Sequence, residues 1–269
     1  LFHPAGKEMQ GMRLTILGSR GSLPSPGKDR LLFGGDTSCL RVSAGGDTLF
    51  LDAGTGLLQA EVSGMKELTV LLSHTHIDHV MGLAMFAPLY TKGCCLHIYG
   101  YGPDDGMPLR EQVGRLLSPP LWPVRLEACP AQVHFHDLTG PENLGKFQID
   151  WMPSCHPGGA VIYRLRAQGR TLVYATDFEH EYSAWQKLIQ FADRADLLLY
   201  DAQYTQEEYE RHRGYGHSTA EMGIRTAEAC HASRLVLIHH APWATDEMLL
   251  EREKKLGVHY ARQGETVEL

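Results

Sequence analysis

The sequence predicts an α/β protein built from two packed β-sheets with helices on the outside. Two observations carry this. Short β-rich runs, each bounded by Gly, Asp or Ser, are mixed with helical patterns along the whole chain. The strands also follow one another at hairpin-like spacing, as in sheets that stack face to face. Of 269 residues, 43% are hydrophobic and 21% charged, which supplies a full-sized core and excludes disordered and fibrous classes. No linker divides the chain and no repeat recurs at a solenoid period. Residues 12–269 are therefore expected to form one domain behind a loose N-terminal extension, 1–11.

In chain order, the first half offers strands at 13–17, 39–43, 48–51, 68–72 and 96–99, with helices at 80–89 and 109–117. Pro119, Pro120 and Pro123 mark a stiff surface loop. The second half offers strands at 148–152, 160–165, 171–175, 197–200 and 235–238, and helices at 182–191, 220–229 and 246–256. Ser218 and Thr219 place hydroxyls where the second of these helices needs an N-cap.

No run of about 18 apolar residues exists, so no transmembrane helix is expected. Leu1–Gly11 lacks the pattern of a secretory signal. The six Cys form no C-x-x-C pair and read as reduced, buried small hydrophobes of a cytoplasmic protein. Lys and Arg number 25 against 32 Asp and Glu, a formal net charge of −7. That argues against a general nucleic-acid binder, whose affinity rests on a basic surface.

The 15 His are the unusual count, and imidazole is the commonest metal ligand. Ser73-His74-Thr75-His76-Ile77-Asp78-His79 follows the strand 68–72 directly and contains H-x-H-x-D-H. A strand end and tight turn can aim His74 and His76 at one ion, while Asp78 and His79 face a second ion from the start of a helix. Two ions need further ligands, and the sequence places candidates at other strand ends. These are His156, Asp177, and the pair His239 and His240.

With these motifs, the chain resembles the metallo-β-lactamase superfamily and, within it, the ribonuclease Z-like phosphodiesterases. His74, His76, Asp78 and His79 match the superfamily's first motif, Asp52-Ala53-Gly54 its D-x-G turn, and His217-Ser218-Thr219 the signature of the ribonuclease Z-like branch. The resemblance implies a four-layer αββα sandwich of two mixed sheets. It implies that His74, His76 and His156 hold one divalent ion, that Asp78, His79 and His239 hold the other, and that Asp177 bridges. The spacing from His217 falls on His239 without a gap, with His240 the alternative one residue on. Zn²⁺ suits this donor set best, with Mn²⁺ and Fe²⁺ the other candidates. The implied chemistry is attack by a metal-bridging hydroxide, with Asp78 in the catalytic set and His217 protonating the leaving alkoxide. Asp201 stands where the family usually shows Glu and would support His217. Asp52 would lie beneath the metals and orient a ligand His, or simply form an Asp-Gly turn. Arg20, in the Gly-rich loop 17–22, is a candidate phosphate contact.

The chain departs from ribonuclease Z in one respect. Twenty residues separate His156 from Asp177, which leaves no room for the basic arm that clamps transfer RNA in many of those enzymes. The insert 100–131 is Pro-rich, but its Arg110, Arg115 and Arg125 are offset by Asp104, Asp105, Glu111 and Glu127. The expected substrate is therefore a small phosphodiester such as a cyclic nucleotide or cyclic sugar phosphate. No stable nucleic-acid complex and no membrane contact are expected. The insert would wall the pocket or form a homodimer contact. A lactone or thioester hydrolase and an RNA-processing endonuclease are the alternatives. His134 and His136 alternate along a strand and read as a solvated face.

Overall fold

The computed structural model describes residues 11–102 and 106–269. The predicted extension, apart from Gly11, lies outside the described residues, as do Asp104 and Asp105 of the insert.

Thirteen strands among the described residues form two mixed sheets. The first sheet contains β1 (Met12–Gly18), β2 (Cys39–Ala44), β3 (Asp47–Leu51), β4 (Glu67–Leu72), β5 (Cys95–Gly100), β6 (Gln132–Asp137) and β13 (Thr266–Glu268). Its order is β13-β1-β2-β3-β4-β5-β6, antiparallel up to β3 and parallel from β3 to β6. The second contains β7 (Glu142–Leu144), β8 (Phe147–Ser154), β9 (Ala160–Ala167), β10 (Arg170–Ala175), β11 (Leu197–Asp201) and β12 (Leu235–Ile238). Its order is β12-β11-β10-β9-β8-β7, and β10, β11 and β12 run parallel.

Met12, Leu14, Ile16, Val42 and Leu49 of the first sheet meet Ile149, Val161, Leu165, Leu172 and Leu199 of the second in a buried core between the sheets. Burying each such side chain contributes about 1.5–3 kcal/mol. The opposite faces are covered too, so the β-strands bury side chains on both sides. Phe50, Val70 and Leu96 lie under α2 (Leu109–Leu116) and the turns around Leu83 and Phe86. Val173, Leu198 and Leu237 lie under α3 (Tyr182–Phe191), α5 (Ala220–Ala229) and α6 (Asp246–Leu256). This is the expected α/β architecture with layers in the order αββα.

The helices start where the sequence supplies side-chain acceptors. Glu181, Thr219 and Thr245 cap α3, α5 and α6. A short α4 (Gln206–Arg211), not predicted, begins with a full capping box of Thr205 and Glu208.

The predicted helix 80–89 is replaced by α1 (Ile77–Val80) and two 3₁₀ turns, Met81–Met85 and Ala87–Tyr90. Gly82 donates its N–H to Ala53 O at 2.9 Å, and a Cβ there would lie 2.1 Å from Gly54 O. The chain is thus held against the D-x-G turn. Pro88 has no N–H for the Ala84 carbonyl, which accepts from Tyr90 OH at 2.7 Å instead.

From the insert, Gln112 of α2 accepts from Thr75 Oγ1 of the His motif at 2.6 Å, while Leu121 is exposed. All six cysteines are free thiols, but only Cys39, Cys94 and Cys230 are buried, the others being half-buried. No helix among the described residues is long and apolar enough to cross a membrane.

Candidate metal centre

The strands end so that their loops converge. His74 and His76 follow β4, and Asp78 and His79 occupy the first turn of α1. From the second sheet, His156 follows β8, Asp177 follows β10, Asp201 ends β11 and His239 follows β12. His217 stands two residues before the Thr219 cap of α5.

Asp177 sits at the middle of the cluster. Its Oδ1 lies 3.2 Å from His79 Nε2 and 3.3 Å from His239 Nε2, and its Oδ2 lies 3.6 Å from His74 Nε2 and 3.7 Å from His156 Nε2. Asp78 Oδ2 is 3.2 Å from both His79 Nε2 and His239 Nε2. His156 Nε2 lies 3.0 Å from His76 Nδ1. Three sets of donor atoms each fall within 4.8 Å: His74, His76 and His156; Asp78, His79 and His239; and His74, His79 and Asp177. A fourth set joins Asp177, Asp201, His217 and His239.

The donor chemistry fits divalent cations. No Lys or Arg among the described residues forms an ion pair with Asp78 or Asp177, although both carboxylates are buried. His74 Nε2 is buried without a hydrogen-bond partner. Burial would push the Asp177 carboxyl up, but His239, His79 and His74 hold it well below the usual carboxylate range. Burial, helped by the neighbouring His79, keeps the His74 imidazole well below its ordinary pKa, and burial lowers His156 as well. His74 and His156 thus offer neutral nitrogens. At His79 and His239 the facing carboxylates outweigh burial, raising His79 well above the imidazole range and His239 to about 9, and a bound cation would displace those protons.

The backbone beneath the site is bent sharply. Asp52, Asp177 and His239 adopt left-handed φ values of 60°, 49° and 63° directly beyond or close to the ends of β3, β10 and β12. Such residues cost about 1–3 kcal/mol each and persist where surrounding contacts fix them.

Asp52 is fixed in this way. It accepts from Ser73 N (2.6 Å), Ser73 Oγ (2.9 Å), His79 Nδ1 (2.7 Å) and Tyr174 OH (2.7 Å). The bond to Nδ1 leaves His79 Nε2 facing Asp78 and Asp177. Beside this cluster, His217 Nδ1 donates to Asp201 Oδ2 at 2.8 Å, and Asp201 Oδ1 accepts from Ser218 N and Gln203 N.

Other candidates lie elsewhere. His240 turns away from the cluster, bonding Ala261 O through Nε2 at 2.8 Å and packing on Phe33 and Tyr260. Arg20 is fully buried, and its guanidinium donates to the carbonyls of Gly34, Ala241 and Ala244. It is a structural clamp on the loop after His240, not the predicted phosphate contact. His134 and His136 lie on β6 beside His97, away from the centre.

Three contacts had no signature in the sequence. Ser22 N donates to Asp78 Oδ2 at 2.7 Å. Tyr174 supports Asp52, as above. Glu179 accepts from Gly214 N (2.7 Å) and Gly216 N (2.9 Å), and Gly216 O accepts from His156 Nδ1 at 3.0 Å.

The pattern of the Beta-lactamase superfamily domain matches residues 47–240, a span that holds every one of these candidate ligands. The chain belongs to the beta-lactamase superfamily. It is a hydrolase, and the superfamily together with the His and Asp cluster implies divalent metal ions. Ribonuclease Z of Myxococcus xanthus is 27% identical, covering 97% of this chain and 99% of its own. Two superfamily folds superpose over nearly the whole molecule. The metallo-beta-lactamase fold protein YhfI of Bacillus subtilis has a TM-score of 0.72 and 23% identity, covering 96% of this chain and 99% of its own. A diphosphatase of the PhnP family has a TM-score of 0.71 and 21% identity, covering 96% and 98%.

Proposed function

We propose that this chain is a dinuclear metal-dependent phosphodiesterase of the ribonuclease Z-like branch, acting on a small phosphodiester such as a cyclic nucleotide or cyclic sugar phosphate. The observation that carries the reading is the His217–Asp201 pair, joined at 2.8 Å beside the ligand cluster. Thioester hydrolysis, whose thiolate departs unprotonated, needs no such proton donor. His74, His76 and His156 would hold one ion and Asp78, His79 and His239 the other, with Asp177 shared. Zn²⁺ suits this imidazole-rich set. Such ions supply Lewis acidity toward a phosphoryl oxygen and toward the attacking water.

The chain's own residues do the rest. Asp52 and Tyr174 fix the ring of His79, and Gly216 fixes that of His156. Asp201 accepts from His217 Nδ1, so the proton on Nε2 is the one available to the substrate. As the bond from phosphorus to the leaving oxygen breaks, that oxygen keeps the electron pair and takes the Nε2 proton.

A small substrate is supported by the hairpin between His156 and Asp177. Ala167 pairs directly with Arg170 across a two-residue turn, so no arm leaves the sheet there. The net charge of −7 points the same way. The name of the Myxococcus relative favours an RNA substrate as the second reading.

A panel of bis-p-nitrophenyl phosphate, cyclic nucleotides, a lactone, a thioester and a precursor transfer RNA, each with Zn²⁺ or Mn²⁺, tests this. Turnover of the small phosphodiesters is expected. Turnover of the lactone or thioester alone overturns the reading, and preferred cleavage of the transfer RNA puts the second one first. His217→Ala should lose on the order of 10²–10⁴ in rate on a cyclic nucleotide. The loss on an aryl phosphodiester should be smaller, because that leaving group departs unprotonated. Loss of metal in the same variant would make His217 a ligand instead.

A further inference from the structure

Beside His217 stands a group of aromatic side chains that the chemistry above leaves unused. Tyr204 meets the His217 ring edge-on, with centroids 5.7 Å apart. Tyr204 is buried and stacks on both His212 (4.9 Å, 16°) and Trp243 (6.4 Å, 21°), its ring nearly parallel to each. Tyr215 meets His212 edge-on at 5.3 Å. The arrangement is anchored. Glu208 of the α4 capping box accepts from Trp243 Nε1 at 2.7 Å, and Glu208 O accepts from His212 Nδ1 at 2.7 Å. Yet the outermost rings stay open to solvent, with Tyr215 60% and Trp243 44% exposed. Large aromatic surface held rigid and left uncovered at the rim of a catalytic centre is a stacking platform for a planar ligand.

We infer that Tyr215 and Trp243 form the subsite for the base of a nucleoside whose oxygen is the leaving group. This rests on the reading of His217 as proton donor. The wall lies on the His217 side of the centre, so what it touches belongs to the leaving alcohol. A phenol-type leaving group would bring a ring but would need no acid. A sugar alkoxide needs the acid but brings no ring. A nucleoside brings both, with the sugar as spacer between base and leaving oxygen. The subsite therefore selects the nucleotide over the base-free cyclic sugar phosphate.

The test compares a nucleoside cyclic phosphate with the matching base-free cyclic ribose phosphate on the metal-loaded full chain. The wild type should favour the nucleotide in kcat/KM. Trp243→Ala and Tyr215→Ala should each shrink that ratio roughly five- to a hundredfold, the range expected for loss of one base–aromatic stack. Equal rates on the two substrates in the wild type, or an unchanged ratio in both variants, overturns the inference. Failure to cleave either compound refutes the phosphodiesterase reading, and the wall is then judged by binding alone. Adenosine monophosphate should quench tryptophan fluorescence saturably, and Trp243→Phe should abolish the quench. Absence of quenching in the wild type, or quenching retained by Trp243→Phe, overturns the subsite.

Discussion

Glu179 ties together three loops of the metal centre. Its N–H donates to Cys155 O at 3.0 Å, next to His156, and its carboxylate holds the amides of Gly214 and Gly216 on the way to His217. It also follows Asp177 by only two residues. Gly216 completes the link. Its φ is +84°, a Cβ there would lie 2.0 Å from His156 Nδ1, and its carbonyl fixes that ring with Nε2 toward the cluster. Glu179 is therefore a positioning residue for His156. Partners that orient a metal-ligating His are commonly worth ten- to a hundredfold in metal affinity. Glu179→Ala should weaken one of two Zn²⁺ affinities by about that factor in calorimetric titration of metal-stripped protein and leave the other nearly unchanged. Asp196→Ala is the comparison, since Asp196 also holds a backbone amide, that of Thr171, away from the centre. It should lower the melting temperature without touching either affinity. Equal weakening at both sites by Glu179→Ala, or none, would reduce Glu179 to an ordinary loop tether.

The end of β12 shows what an element decides. Ile238 still pairs with Asp201 of β11, and the next residue, His239, turns left-handed. The bend sends His239 into the cluster and His240 into the packing of Phe33 and Tyr260. His239→Ala should remove metal and activity together. His240→Ala should keep both and cost about 1–3 kcal/mol of stability, from a lost buried hydrogen bond and a small cavity. Elemental analysis beside thermal melts separates the two, and the reverse pattern would shift the register by one residue. The strands around this bend were legible, because β11 up to Tyr200 and the whole of β12 are apolar runs that bury both faces. Helices α3, α5 and α6 were legible to the residue from their helical patterns, with a cap read from the sequence for α5 alone. The stretch 80–89 was not, because its conformation depends on Gly82 meeting Gly54 across the fold. Arg20 was misread for a similar reason, since its three carbonyl acceptors come from distant loops. Within the cluster, His74, His76, Asp78 and His79 announced themselves by type and spacing, while His156, Asp177 and His239 stood out only as strand-end candidates that the family resemblance joined to them. Tyr174, Glu179 and the aromatic wall did not, because their contacts join residues remote in sequence and none belongs to a motif.

At the scale of the whole molecule, the centre spans the two sheets. His74, His76, Asp78 and His79 come from the loop after β4 in the first sheet, and His156, Asp177 and His239 from strand ends of the second. Cations held there would pin the sheets together at one end, and without them two buried carboxylates face imidazoles, with one hydrogen bond each from Ser22 N and Thr176 Oγ1. Metal binding should therefore appear as global stability. Free Zn²⁺ at 100 to 1,000 times its dissociation constant adds about 2.7–4.1 kcal/mol per site. In a chain of this size each kcal/mol moves the melting temperature by about 2–4 °C. Purified protein should carry up to two equivalents of metal. Chelation should lower the melting temperature by roughly 5–15 °C for each site emptied, and Zn²⁺ should restore it. The sign of the pH effect follows from competition. Ligand imidazoles must be unprotonated to bind, and Asp177, Asp78 and Asp201 outweigh burial and raise His239 to about 9, so the Zn²⁺-dependent rise should be full above about pH 9 and shrink as pH falls below it. Asp177→Ala removes the carboxylate common to both groups of ligands, and in that variant the chelator should no longer move the melting temperature. If the stripped wild type, shown free of metal by elemental analysis, melts where the loaded protein does, the ions do not cross-link the sheets and the cluster binds them too weakly to serve as a resident centre.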